Sequence, residues 1–401
     1  MADRAVDILL IGGGIASATA AATLREEGFD GSILLVGREL DAPYHRPPAT
    51  KGYLRGEEDR PGVFVHPEAW WPEHDVELLA RTSVLALDPG SSTAKLSTKD
   101  EVAFDRALLA TGAMVRPLDV EGGQLEGIHY IRTLGNADAV RKAAEEAEHV
   151  VCVGGSYIGC EVAASLTALG KRVTVLLMED EPLAHHFGAA AGRHVRAVLE
   201  EHGVDVVGGD EVVRFEGADH VEAVLTRGGR RLRADAVVCG VGAVPDVTLA
   251  RRAGLLIGDL GGVRCDSRLR TLARGIAAAG DMCEFDSVLH GGAARIEHEE
   301  VAAAQGATAA RTLLGADRPH DVVPYFFSDL ADWLALEYVG LGGPFADEVV
   351  RGDPASGAFG VWHLSGGRVR GLVSVNGGAD LDAARELIAA GEAVGAAGLP
   401  G

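Results

Sequence analysis

Near the N-terminus the apolar positions come in blocks. Ile8-Leu9-Leu10-Ile11 is an unbroken apolar run, Gly12-Gly13-Gly14 follows, and Ile15 to Leu24 is a stretch of mostly small, uncharged residues. A second apolar run covers Ser32 to Val36. Short apolar runs bounded by glycine read as strands, and the small-residue stretch between them reads as a helix that can lie close to a sheet. The block returns 142 residues later, where Ile8 to Ser17 overlies Val150 to Gly159 and the match continues to Leu24 and Leu166. Its second apolar run is Arg172 to Leu177. The chain therefore writes β-α-β twice, and the predicted class is α/β with two Rossmann-like units.

Such a unit binds a dinucleotide through its turn. The first glycine permits the tight bend, the second lets the backbone approach a pyrophosphate, and the third lets helix and strand pack closely. Free N–H groups at the helix N-terminus then meet the phosphates. In the first copy these positions fall on Gly12, Gly14, Ile15, Ala16 and Ser17, with serine at the third glycine position. In the second they fall on Gly155, Ser156, Tyr157 and Ile158, with serine at the middle one. An acidic residue about 20 positions on takes the ribose hydroxyls. Glu39 lies 22 residues after Ser17 and Glu179 lies 20 after Gly159. Two such sites in one chain suggest a flavin dinucleotide beside a nicotinamide dinucleotide. A carboxylate at Glu179 with no adjoining arginine favours NADH over NADPH, because it repels a 2′-phosphate.

Composition narrows the class. The chain has 401 residues, 47% hydrophobic and 24% charged, enough for two or three domains with real cores. Its net charge of −22 argues against nucleic acid or an anionic membrane as partner. The charge-free stretch Ile8 to Leu24 is broken by glycines, so a membrane span or signal peptide is not expected and a cytoplasmic protein is. Five scattered cysteines without a CxxC pair give neither a disulfide framework nor a metal site.

Further motifs carry a resemblance. Pro43-Tyr44-His45-Arg46-Pro47-Pro48-Ala49-Thr50-Lys51 is a proline-stiffened loop with two cations, suited to a diphosphate and a reduced flavin. Ala110-Thr111-Gly112 closes an apolar run, Gly240-Val241-Gly242 opens a second crossover, and Gly280-Asp281 ends an apolar strand. With the two glycine turns, these segments resemble the FAD-dependent pyridine-nucleotide oxidoreductases of the ferredoxin reductase type, the group of putidaredoxin and rubredoxin reductases. The resemblance runs from residue 6 to about 375.

That resemblance implies a glutathione reductase-like architecture. An FAD domain at 1–112 and 243–320 would hold an inserted NAD domain at 113–242, and a C-terminal α/β domain at 321–401 would cap the flavin. It implies that Lys51 sits near flavin N5 and pairs with Glu161. Arg46, Val84, Arg132, Phe327 and the Gly280-Asp281 turn would meet FAD, Asp281 through the ribityl hydroxyls. Arg295 to His298 would open a helix aimed at the pyrimidine side of the ring, with Glu299 as a departure from the usual apolar residue. Gly242, Glu297 and His298 would touch the nicotinamide nucleotide, and Tyr157 would move aside to admit it. Arg38 stands where relatives carry an acidic ribose ligand, so either Glu39 takes the sugar or Arg38 covers the adenine.

With no cysteine before Cys152, a thiol relay is excluded and electrons leave the flavin directly. The expected partner is a 2Fe–2S ferredoxin serving an oxygenase such as a cytochrome P450, the protein being a monomer or homodimer. Docking would need a local basic patch, near Arg295 or Arg311. The alternatives are a reductase of a quinone or monodehydroascorbate, and a flavin redox sensor like apoptosis-inducing factor.

Overall fold

The computed structural model describes residues 2–340 and 345–400. The chain divides into two compact units. One comprises Met1–His45, Pro61–Met114 and Val244–Val322, and the other Arg46–Arg60, Val115–Ala243 and Val323–Gly401.

The first unit is built on a seven-stranded sheet. Val76–Leu79, Ile33–Val36, Arg4–Ile11 and Glu101–Leu109 lie side by side and parallel. The last of these forks. Its early residues pair antiparallel with Thr93–Leu96, and Ala107 to Leu109 pair in parallel with Ile276–Ala278. Parallel strands covered on both faces need apolar residues throughout, which is why Ile8–Ile11, Ile33–Val36 and Ala107–Leu109 are continuous buried runs. Helices Ile15–Glu26 and Glu299–Leu313 lie against one another, and only glycine fits at 306, where a Cβ would sit 2.2 Å from the Ala16 carbonyl oxygen. A smaller sheet of Val263–Cys265, Cys283–Ser287 and Gly292–Ala294 completes this unit.

The second unit repeats the plan. Its parallel sheet runs Asp205–Val207, Arg172–Leu176, His149–Val153, Ala236–Cys239, Ile128–Tyr130. Helices Leu134–Glu146, Tyr157–Ala168 and Ala184–Glu201 accompany it. The same unit contains an antiparallel sheet ordered Tyr325–Leu330, Leu334–Gly340, Arg368–Val375, Ala358–Ser365, Asp347–Asp353, with helix Leu381–Ala390 packed on it. The segment 46–60 also belongs here. Thr50 gives its carbonyl to the Ser165 hydroxyl at 2.7 Å, Arg55 reaches Ser165, and Tyr53 donates to Asp138 at 2.8 Å.

Candidate functional site

The sequence repeat returns as one geometry, twice. In the first unit the Gly12 N–H donates to the carbonyl of Val36, at the end of the second strand, at 2.9 Å. Its φ is +123°, and a Cβ would lie 2.0 Å from the carbonyl oxygen of Ala110, so glycine is obligatory. In the second unit the Gly154 N–H donates to Leu176, its φ is +111°, and a Cβ would meet the Gly240 carbonyl oxygen at 2.4 Å. The crossover segments Ala110-Thr111-Gly112 and Gly240-Val241-Gly242 are thus the neighbours that force each glycine.

Each turn leaves a helix N-terminus uncapped. Gly14 precedes Ile15–Glu26 with no side-chain cap and no acid in the first turn, and a Cβ there would meet nothing within 4 Å. Ser156 precedes Tyr157–Ala168 and spends its hydroxyl on the Gly240 carbonyl at 2.7 Å, so it does not cap either. Unsatisfied helix N–H groups over an open glycine backbone form a cradle for an anion. Both turns therefore fit a dinucleotide pyrophosphate. Ala16 and Ser17 lie buried in the first helix, where smallness lets it pack; Gly159 does this in the second, 1.9 Å from the Gly154 carbonyl by its absent Cβ.

The other first-unit residues take these places. Tyr44, buried, donates its hydroxyl to Glu39 at 2.5 Å, which orients that carboxylate. The Arg38 guanidinium is held by Asp246 at 2.9 Å. Thr111 donates its hydroxyl to the Asp246 carbonyl at 2.6 Å. Gly280 is fixed by its N–H, which donates to the buried Gln305 amide oxygen at 2.8 Å. Asp281 presents its carbonyl to Arg295 at 3.0 Å. Val84, half-buried, pairs with Leu96.

The helix expected to open at Arg295 begins at Glu299, with His298 at its N-cap. Arg295 to Glu297 are drawn out of it by the arginine, which bonds the carbonyls of Leu260 and Asp281 and the Glu297 carboxylate. Glu299 accepts from His45 Nδ1 at 2.7 Å, and that hydrogen bond raises the His45 pKa. Neither arginine suggested for docking is a loose cation, since Arg311 is paired with Glu27.

In the second unit, one charged cluster is nearly dry. Lys51 and Glu161 are 8% and 6% exposed, and Lys51 Nζ lies 3.5 Å from Glu161 Oε1. Glu161 is pinned by two hydroxyls at 2.6 Å, Thr50 to Oε2 and Ser328 to Oε1. Burial raises its pKa, against the opposing pull of Lys51 and the two hydroxyls. Lys51 also hydrogen-bonds Asp329 Oδ2 at 3.3 Å and lies 4.4 Å over the Phe327 ring. Thr50 stands inside the proline-stiffened loop, yet nothing in the sequence assigns it, Ser328 or Asp329 to the Lys51–Glu161 pair. Arg46 donates to the Arg132 carbonyl at 2.6 Å.

Tyr157 opens the second helix inside an aromatic group: Phe326 at 4.3 Å, His186 at 5.3 Å and Phe187 at 5.4 Å between ring centroids. Burial raises its phenol pKa. Glu179 is exposed beyond the strand Arg172–Leu176, and Gly242 has φ +98° with open space at its Cβ. All five cysteines are buried free thiols. Among the described residues no cluster could hold a metal, and no helix is long and apolar enough to cross a membrane.

Comparison with known proteins agrees with this geometry. Residues 6–306 match the pyridine nucleotide-disulphide oxidoreductase family and residues 325–400 the reductase C-terminal family. Rhodocoxin reductase of Rhodococcus erythropolis is 34% identical over 96% of this chain and 90% of its own. The ferredoxin–NAD(+) reductase component of the anthranilate 1,2-dioxygenase system of Burkholderia cepacia is 35% identical over 96% of this chain and 94% of its own. The structure of the covalent putidaredoxin reductase–putidaredoxin complex superposes with a TM-score of 0.91 at 31% identity, covering 98% of this chain and 95% of that one.

Proposed function

The chain belongs to the pyridine nucleotide-disulphide oxidoreductase family, and from that premise we propose that it is an FAD-dependent NADH:ferredoxin oxidoreductase. The observation that carries this reading is the pair of open glycine cradles, each with its uncapped helix, in a chain that lacks any cysteine near the first. When bound, FAD supplies the two-electron to one-electron conversion: it accepts a hydride and gives electrons up singly.

The protein's own residues position and stabilise. The N–H groups at Gly14 to Ala16 hold the flavin pyrophosphate and those at Ser156 to Ile158 that of NADH. Glu39, oriented by Tyr44, takes the flavin ribose, because Arg38 is committed to Asp246. Gly280 and Asp281 hold the ribityl chain on a turn fixed by Gln305 and Arg295. Val84, Arg46, Arg132 and Phe327 complete the flavin contacts, and Gly242, Glu297 and His298 those of the nicotinamide nucleotide. Lys51 places a cation at the reducible part of the ring and Glu161 fixes its position. Tyr157 swings from its aromatic neighbours to admit the nicotinamide, and Glu179 selects NADH by repelling a 2′-phosphate.

The partner is an iron–sulfur ferredoxin, here assigned to the 2Fe–2S class and to an oxygenase such as a cytochrome P450. We further assign an FAD domain at 1–112 and 243–320, an NAD domain at 113–242 and a cap at 321–401, in a cytoplasmic monomer or homodimer. Anaerobic addition of NADH to the purified yellow protein tests the first half-reaction. Stoichiometric bleaching of the flavin is expected, and a spectrum left unchanged by NADH overturns the reading.

A further inference from the structure

Hydride arrives as one proton with two electrons, whereas a ferredoxin accepts only an electron. Each NADH oxidised by two ferredoxins therefore leaves one proton, which has to reach water. Lys51 and Glu161, the ionisable pair assigned to the reacting ring, are almost completely buried. Glu161 cannot swing outward, because Thr50 and Ser328 clamp its two oxygens. Lys51 has a second contact. Its Nζ hydrogen-bonds Asp329 Oδ2 at 3.3 Å, and the Asp329 side chain is 42% exposed. Among the described residues Lys51 is the one hydrogen-bond donor to that carboxylate. Tyr157 and Cys160, on the Glu161 helix, have their pKa raised by burial and by the Glu161 charge. The charged groups facing Lys51 are thus one fixed, buried acid and one acid at the solvent boundary.

We propose that Asp329 is the proton outlet of this enzyme, relaying to water the proton that Lys51 carries away from the reaction centre. The relay rests on the NADH:ferredoxin reading above. An Nζ–H bond of Lys51 breaks as an O–H bond forms at Asp329 Oδ2. Asp329 then gives that proton to water, and Nζ takes up the proton freed at the site of oxidation. NADH is oxidised, two ferredoxins are reduced, and one proton leaves. Glu161 remains a carboxylate throughout and acts as a positioning residue for the ammonium.

The test compares wild-type holoenzyme with Asp329→Asn and Asp329→Glu in weakly buffered stopped flow, with a pH indicator, NADH and an excess of a 2Fe–2S ferredoxin. Positioned proton transfer is worth about a hundredfold or more, and a half-exposed site lets water bypass part of it. D329N should slow proton release about tenfold more than it slows flavin bleaching by NADH, D329E should keep most of the rate, and added formate should restore D329N. In the oxidised holoprotein without NADH, NMR of the Lys51 ammonium should show about tenfold slower solvent exchange in D329N. Wild-type proton release by D329N, with no formate effect and unchanged ammonium exchange, overturns the relay alone. Wild-type enzyme that takes no hydride from NADH overturns the reaction and the relay with it.

Discussion

Removing both members of the Lys51–Glu161 pair should cost no more than removing one. The two side chains are 10% and 7% exposed and 3.5 Å apart. At an effective dielectric of about 20 that separation corresponds to about 5 kcal/mol of attraction. Little of this is net gain, because desolvating both ions consumes most of it. A single deletion, however, strands the remaining charge. Glu161→Gln leaves the ammonium with only the half-exposed Asp329, a loss of about 2 kcal/mol, the size of a charge-assisted hydrogen bond. Lys51→Met leaves a buried carboxylate whose pKa burial already raises, a loss of about 3 kcal/mol at neutral pH.

The pair K51M/E161Q carries no stranded charge and should cost about as much as one single change, giving a coupling of about 2–3 kcal/mol. Urea unfolding of the four proteins, followed by far-ultraviolet dichroism, measures it. The K51M penalty should also depend on pH. Its folded state holds a proton on Glu161 to higher pH than the unfolded chain does, so the deficit should grow as pH rises from 5 and shrink as it falls. Single-mutant losses that add to the double-mutant loss within about 0.5 kcal/mol would refute the reasoning.

The first glycine turn makes a sharper prediction. Gly12→Ala puts a Cβ 2.0 Å from the Ala110 carbonyl oxygen at φ +123°, so the purified protein should lose most of its FAD, and a normal flavin-to-protein ratio would contradict that account. Glu179→Ala should reduce the kcat/KM preference for NADH over NADPH by about tenfold or more, since one like-charge repulsion disappears; an unchanged ratio places the ribose elsewhere. His363 is buried, bonds the Phe187 carbonyl through Nε2 at 3.1 Å and has its pKa pushed down to about 4. The unfolded chain therefore binds a proton that the folded one refuses between about pH 6.5 and 4, and stability drains away as pH falls through that window, by about 3 kcal/mol at its foot. His363→Asn should remove that share of the acid lability, as read from urea midpoints at pH 7 and pH 4.

The features legible in the sequence are those held by short-range rules. A glycine that must bend beneath a carbonyl, a strand apolar on both faces and a helix of small residues all leave marks within a dozen positions. That is why both cradles, including the obligatory Gly12 and the tightly packed Gly159, could be placed from the repeat alone. Interactions between distant segments leave no such mark. Arg38 and Asp246 are 208 positions apart, and no local pattern shows that they pair while Tyr44 takes Glu39. Lys51 and Glu161 were suggested only by family resemblance, and the Thr50, Ser328 and Asp329 side chains around them by nothing in the pattern. The helix boundary at Glu299 shifted for a similar reason, since Arg295 is drawn toward Leu260 and Asp281 by bonds that helical periodicity does not encode.

NADH-driven cytochrome c reduction, measured with and without added 2Fe–2S ferredoxin and beside direct NADH–ferricyanide activity, tests the central claim most directly. The account predicts strong stimulation by the ferredoxin, because electrons leave the flavin singly for an iron–sulfur partner. High ferricyanide activity with no stimulation by any member of a ferredoxin panel would contradict it.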